Sequence, residues 1–325
     1  MPITEPTAVN VTFADIQDAS HRIRPIARRT PVLTSRGFDE RAGTRTFFKC
    51  ENLQRCGAFK IRGASNFLLS MPKQDLPRGV VSFSSGNHAQ AVAFAAKSVG
   101  APATLVMPED APRSKMEATR DHGARIVTHN RFTENREAIG RRIAAESGAT
   151  LVPPFDHPWI IAGQGTAALE LLEEIPDLDA LVVCIGGGGL ISGCAIAAKY
   201  LRPAIRIFGV EPEIANDTFL SLQAGHPVEI PAPDTIADGL RTTKPGAITF
   251  SIMQQLVDEI VLVTEREIEE TLKFLLTRMK ILVEPSGAVA AAALLFGKLP
   301  PALQTAGVIL SGGNVDADRL AGFLR

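Results

Sequence analysis

The chain has 325 residues, a formal charge of −1, 45% hydrophobic and 21% charged residues, which suits about two globular domains with their own cores. That charge balance excludes a nucleic-acid backbone as the main partner, and the longest apolar run, residues 288–296, is about half the ~20 residues a bilayer span needs. The N-terminus shows no basic region followed by an apolar one, and Cys50, Cys56, Cys184 and Cys194 form no Cys-x-x-Cys pair, so a cytoplasmic protein with reduced cysteines is expected.

From Gly79 onward short apolar runs alternate with helical patterns. Residues 80–83, 103–107, 125–128 and 150–152 read as strands, and residues 89–98, 113–121 and 134–146 as helices. A second series follows, with strands at 180–185, 205–210, 259–264 and 307–310 and helices at 190–201, 265–280 and 286–297. In the helix after Thr264, Ile268, Leu272, Leu275, Leu276 and Met279 share one face. Residues 215–250 carry many Pro and Gly and are too long for an ordinary connection, so they line a site or hold short elements of their own. No internal repeat is present. The predicted fold class is therefore α/β, with two open, mostly parallel twisted sheets carrying helices on both faces, and a ligand cleft between them at strand C-terminal ends.

Chemistry-bearing residues punctuate this pattern. Gly186, Gly187, Gly188 and Gly189 separate a predicted strand from a predicted helix. Backbone N–H groups of such a loop can close around a phosphate, aided by the helix N-terminus, and a bare glycine turn is the alternative. Ile191 replaces the third glycine of a dinucleotide fingerprint and no Gly-Lys-Ser/Thr follows, so adenine dinucleotides and triphosphates are disfavoured. Lys60, flanked by Phe59 and Ile61, is a candidate desolvated amine able to attack a carbonyl; a snorkelling surface lysine is the plainer reading. Ser84, Ser85, Gly86, Asn87 and His88 follow a strand and open a helix, which suits a carboxylate or an ordinary N-cap. Ser311-Gly-Gly-Asn314 follows the last strand likewise, with a plain turn as its alternative. Glu211, Asp217 and the Ala215 carbonyl offer the oxygen set of Mg²⁺ or Ca²⁺, or else form a solvated acidic loop. Glu284 either approaches a ligand or caps a helix. His21, His122, His129, His157 and His226 lack ligand spacing and read as structural.

Seven segments then occur in a telling order: Phe-Lys-Ile-Arg-Gly-Ala at 59–64, Ser-Ser-Gly-Asn-His-Ala-Gln at 84–90, Ile-Ala-Gly-Gln-Gly-Thr at 161–166, the four glycines, Thr-Ile-Ala-Asp-Gly at 235–239, Glu-Pro-Ser-Gly-Ala at 284–288 and Ser-Gly-Gly-Asn-Val-Asp at 311–316. Together they resemble the fold-type II pyridoxal phosphate enzymes, specifically the threonine/serine dehydratase and serine racemase group. The resemblance implies a covalent link between Lys60 and pyridoxal 5′-phosphate, with Phe59 packed against the pyridine ring and Asn87 bonded to its 3-hydroxyl. It further implies a phosphate on Gly186–Gly189, Ser311 facing the ring nitrogen, and a substrate carboxylate gripped by residues 84–88. A neutral hydroxyl such as Ser311 cannot hold the ring nitrogen protonated, which weakens the electron sink and favours rapid loss of a β-substituent. Lys60 then serves as the general base at Cα.

The expected reaction is conversion of L-threonine and/or L-serine to a 2-oxo acid and ammonia, and the alternatives are a serine racemase or a dehydratase of threo-3-hydroxyaspartate. A non-catalytic amino-acid-binding protein is the reading from another class, and the joint presence of Lys60, Asn87 and Ser311 weighs against it. In the resembled racemases the residue matching Ser85 is the acid/base opposite the lysine, so Ser85 permits racemisation. The residues Pro154-Phe155-Asp156 instead resemble bacterial threonine dehydratases, while Pro153 and Ala58 depart from a usual histidine and serine. Glu211, Ala215 and Asp217 resemble the divalent-cation site of serine racemases (Mg²⁺, Ca²⁺ or Mn²⁺). By the same resemblance residues 1–77 and 156–325 form a large cofactor-binding domain and residues 78–155 a small one, without a C-terminal regulatory domain. A homodimer is expected, with a small hydroxy amino acid as substrate and neither nucleic acid nor membrane as partner.

Overall fold

The structure, a computed structural model, describes residues 11–84 and 86–324. Its strands are β1 (Val32–Leu33), β2 (Arg45–Cys50), β3 (Val80–Phe83), β4 (Ala103–Pro108), β5 (Arg125–His129), β6 (Thr150–Leu151), β7 (Ala180–Cys184), β8 (Arg206–Pro212), β9 (Glu259–Val263) and β10 (Thr305–Leu310). They form a six-stranded sheet in the order β1-β2-β10-β7-β8-β9 and a four-stranded sheet in the order β5-β4-β3-β6. Every pairing is parallel except that of β1 with β2. The predicted α/β class with two mostly parallel sheets is borne out.

Central parallel strands are covered on both faces and so read as unbroken apolar runs. All five residues of β7 are buried, as are the last five of β10. The alanine-rich helix Pro285–Leu295 packs behind them and is buried along its whole length, as its composition predicts. The Asn87–Val99 helix covers the four-stranded sheet and packs against helix Lys60–Ser70, whose Ile61, Ala64, Phe67 and Leu68 join the same hydrophobic cluster. Helix 60–70 thus lies where the two sheets meet.

Two elements near the site evade the sequence pattern for physical reasons. Strand β2 is interrupted in sequence by Lys49, yet that lysine is fully buried, its amine 2.7 Å from Thr30 O and 2.7 Å from a Glu170 carboxylate oxygen. Helix Pro158–Glu174 is buried almost all round, so it has no polar face to give a period. Between them, buried Arg62 bonds Glu51 and Glu170 at 2.7 Å each. Such a network is costly to break and ties helix 60–70 to the large sheet.

Residues 215–250 fulfil both expectations. They hold helix Asp217–Ala224, the 3₁₀ turn Asp238–Leu240 and the start of helix Ala247–Leu256, and residues 238–246 border the cavity described below. The predicted helix 265–280 is α-helical over Glu265–Phe274, with a capping box from Thr264 and Glu267, and becomes a π turn over Leu275–Met279.

Candidate active site

A cavity of about 980 Å³ opens between the two sheets, at the C-terminal ends of β3, β5, β7 and β10. Lys60 lies inside it at the first position of helix 60–70, its Nζ 2.9 Å from Pro154 O and 5.1 Å from the Phe59 ring centre. Burial pulls its pKa down from 10.5 to about 8, against the opposing influence of Cys184, so a sizeable share of the amine is neutral near physiological pH.

Opposite, the four glycines link β7 to helix Gly189–Leu201. Gly188 adopts φ +90°, a left-handed conformation that side chains rarely take, and a Cβ on Gly187 would stand 2.3 Å from the Phe155 ring. The loop is held by Thr249 Oγ1, which donates to Gly187 O at 2.7 Å. The first N–H groups of the helix have no partner within the helix, and its dipole places about half a positive charge there.

The 84–88 segment follows β3 as expected. Ser84 Oγ accepts from Gly86 N at 3.2 Å, whereas Ser85 lies outside the described residues. Asn87 begins helix Asn87–Val99; its Nδ2 donates to Glu284 Oε1 and its Oδ1 accepts from Asn314 Nδ2 at 2.9 Å. His88 is buried, and neither ring nitrogen has a partner among the described residues. Burial, reinforced by Lys60, pushes its pKa down to about 3, so the ring is neutral. Ser311 closes the floor, its Oγ 3.4 Å from Ser286 O. Beside it Cys184 is a poor nucleophile, since burial pushes its thiol up to about 11.

Glu284 makes no capping bond to its own helix. It is 1% exposed and bonds both Asn87 and Lys115, the latter at 3.1 Å. Lys115 also reaches Asp238 at 2.8 Å, so one buried lysine on the small-sheet side grips two carboxylates of the other side. Its acidic partners are 123 and 169 residues away in sequence, which hides the cluster from any local pattern.

Two further groups of the cavity wall carry no sequence signature. Arg136 opens helix Arg136–Ser147 beside the Phe83 ring, its guanidinium 6.0 Å from the ring centre. Among the described residues it makes no ion pair, while the neighbouring Arg131 and Arg141 are paired with Asp110 and Glu137. His129, read as structural in the sequence, ends β5 in the same wall, buried and with both ring nitrogens without a partner among the described residues.

Glu211, Ala215 and Asp217 lie apart from the cavity lining. Glu211 accepts from Thr218 N at 3.2 Å and Phe219 N at 2.9 Å, while Asp217 Oδ2 is buried without a partner among the described residues. Burial and then the Asp217 charge push Glu211 up to about 8, and burial raises Asp217 to about 7. No group of three or more His, Cys, Asp or Glu able to hold a metal occurs among the described residues.

Residues 23–312 match the family model described as "PALP: Pyridoxal-phosphate dependent enzyme". The chain belongs to this family. An L-threo-3-hydroxyaspartate ammonia-lyase of Saccharomyces cerevisiae is 51% identical over 310 residues, 95% of each chain. A serine racemase of Schizosaccharomyces pombe is 47% identical over 313 residues, covering 96% of this chain and 97% of that one. Among solved structures, maize serine racemase superposes with a TM-score of 0.92 at 43% identity, over 96% of each chain. The resemblance drawn from the seven sequence segments is thus borne out, and the chain is a pyridoxal phosphate-dependent enzyme of the lyase and racemase group. No helix among the described residues is long and apolar enough to cross a membrane.

Proposed function

We propose that the protein is a hydroxy amino acid ammonia-lyase, and the observation that carries this reading is the convergence of Lys60, the glycine loop, Asn87 and Ser311 on one cavity. Their chemistry fits pyridoxal phosphate. The amine is desolvated, the helix end is positive, and Phe155, Thr249 and Met253 press so close on the loop that a Cβ on Gly187 or Gly188 would collide with them, which leaves bare backbone at the helix end. The bound cofactor supplies a carbonyl for the amine and an electron sink next to the substrate Cα. Gly186–Gly189 would hold its phosphate, Phe59 would pack by its ring, Asn87 would bond its 3-hydroxyl and Ser311 would meet its nitrogen.

Residues 84–88 hold the substrate carboxylate by hydroxyl and backbone N–H donors. The neutral Lys60 amine takes the proton from Cα, the β-hydroxyl departs with a proton as water, and water then replaces nitrogen at Cα to leave a 2-oxo acid and ammonia. Glu284, paired with Lys115, keeps the Asn87 amide turned toward the cofactor.

Within this class Arg136 favours an acidic substrate. A guanidinium at the cavity wall without a carboxylate of its own suits a second, β-carboxylate, as in threo-3-hydroxyaspartate, better than the methyl of threonine or the hydrogen of serine. Comparing kcat/KM for hydroxyaspartate, threonine and serine in the wild type and in Arg136→Gln tests this. The wild type should prefer hydroxyaspartate, and the substitution should cost that substrate about a hundredfold while changing the other two only a few fold. Equal losses on all three would remove Arg136 from substrate recognition.

Racemisation of serine is a further activity of the same site, resting on Ser85 as a second acid/base and on the similarity to racemases. Glu211, Asp217 and the Ala215 carbonyl hold a divalent cation in this reading. What supports it is the hard oxygen set, the partnerless Asp217 Oδ2 and the cost of two buried like charges, which a cation offsets. Assembly as a homodimer in the cytoplasm completes the proposal.

A further inference from the structure

Lys60 is delivered to the cavity by a short strap, residues 55–59, whose backbone is unusual. Cys56 has φ +58° and ψ 17°, and is followed by Gly57 at φ +67°. A left-handed cysteine is disfavoured because its Cβ crowds its own carbonyl, so such a residue persists only where its surroundings hold it. What holds it is the segment after β10. Phe59 N donates to Ser311 O at 3.0 Å, Gly313 N donates to Gly57 O at 2.8 Å, and Ala58 and Gly312 form an isolated antiparallel bridge.

Asn314 completes the clamp and does something the backbone bonds do not. Its Nδ2 donates to Cys56 O at 2.6 Å and to Asn87 Oδ1 at 2.9 Å. The carboxamide packs so closely on the strap that a Cβ on Gly57 would lie 2.2 Å from Asn314 Oδ1. At the far end of Asn87, Nδ2 donates to Glu284 Oε1. An asparagine amide can turn over with little change in shape, exchanging its donor and acceptor ends. Here both ends are engaged by groups of fixed sense, the NH₂ of Asn314 and a carboxylate oxygen of Glu284.

We infer that Asn314 is a positioning residue whose single carboxamide both locks the left-handed Cys56 turn that presents Lys60 and fixes which end of the Asn87 amide faces the cofactor. The inference rests on the reading of Asn87 as the partner of the cofactor 3-hydroxyl. Two functional residues 27 positions apart in sequence, Lys60 and Asn87, are on this account set by one side chain from a third segment. Neither Asn314 bond depends on the cofactor being present.

The test uses holoenzyme and its cofactor-free form in four variants. Asn314→Asp keeps the shape but sets a carboxylate against Cys56 O and Asn87 Oδ1, inviting Asn87 to turn over. Asn314→Ala removes both bonds, Cys56→Gly in that background removes the need to hold the strap, and Asn87→Ala reports what loss of the Asn87 contact looks like. The expected result is a displaced visible absorption band of the bound cofactor in both Asn314 variants, in the same direction as in Asn87→Ala. A fall in kcat of about tenfold or more with KM changed far less should accompany it. Cofactor-free Asn314→Ala should melt below the wild type. Adding Cys56→Gly should restore the melting temperature while leaving the band displaced. A wild-type band and kcat in both Asn314 variants would overturn the inference, as would recovery of the band together with stability in the double variant. If Asn87→Ala leaves the band unmoved, the reading of Asn87 falls first and the inference with it, an outcome distinct from failure of the Asn314 variants alone.

Discussion

The wall of the cavity contributed by the six-stranded sheet and the wall contributed by the four-stranded sheet are built in different ways. On the first, the glycine loop and Ser311 sit directly at strand ends, and the loop offers contiguous backbone, with Gly188 at φ +90°, steadied from outside by Thr249 and Phe155. On the second, Lys115, His129 and Arg136 are ordinary polar residues of small helices and strand ends, and become notable only through what lies across the cavity. A phosphate handle can be recognised by a contiguous backbone loop. A substrate side chain must be recognised by groups gathered from distant positions, so specificity is the part of this enzyme that local sequence conceals.

That contrast can be broken most forcefully by proton chemistry at Lys60. With its pKa pulled down to about 8 by burial, the fraction of neutral amine falls roughly tenfold for each pH unit below that value and saturates above it. Cofactor-free protein mixed with pyridoxal phosphate should therefore develop its visible band at a rate that climbs with pH and levels off near 8. A rate still rising toward 10.5 would mean that the amine is solvated, and would remove the desolvated-lysine argument.

A smaller, sharper test concerns the second proton transfer that racemisation needs. Ser85→Ala should leave elimination from L-substrates within about threefold while abolishing serine racemisation and use of D-serine, measured by separating product enantiomers. Parallel loss of elimination would show that the hydroxyl serves binding, not a second proton transfer. Smallest of all is the expected effect of the cation. Chelation should lower the melting temperature by about 2 °C or more if Glu211, Asp217 and the Ala215 carbonyl hold a metal, and restoring Mg²⁺ should reverse it. An unchanged melting curve would retire that site.

Much of this was legible in the sequence, for identifiable reasons. Strand β7 is an uninterrupted apolar run, β3, β4 and β8 are broken only by Ser82, by Thr104 and by Arg206 and Glu211 near the ends of β8, and the Thr264 helix carries a capping box and a clean helical face. Lys60, Asn87, the four glycines and Ser311 stand in motifs whose order points to one cofactor, and they do line one cavity. What stayed hidden depends on tertiary pairing. Strand β2 was masked by Lys49, whose charge is tolerated inside only because Glu170 meets it at 2.7 Å. Glu284 could not be assigned until Lys115 and Asn87 appeared beside it, and His129 passed for structural because nothing near it in sequence marks the cavity.

The claim on which the rest depends is that the Lys60 amine reaches a carbonyl held at its other end by the glycine loop. Borohydride treatment of the purified yellow protein, followed by peptide mapping, tests it directly. The account predicts loss of the yellow colour and a stable cofactor adduct on the peptide carrying Lys60. A colourless protein that takes up no added pyridoxal phosphate, or an adduct on a different lysine, would contradict it.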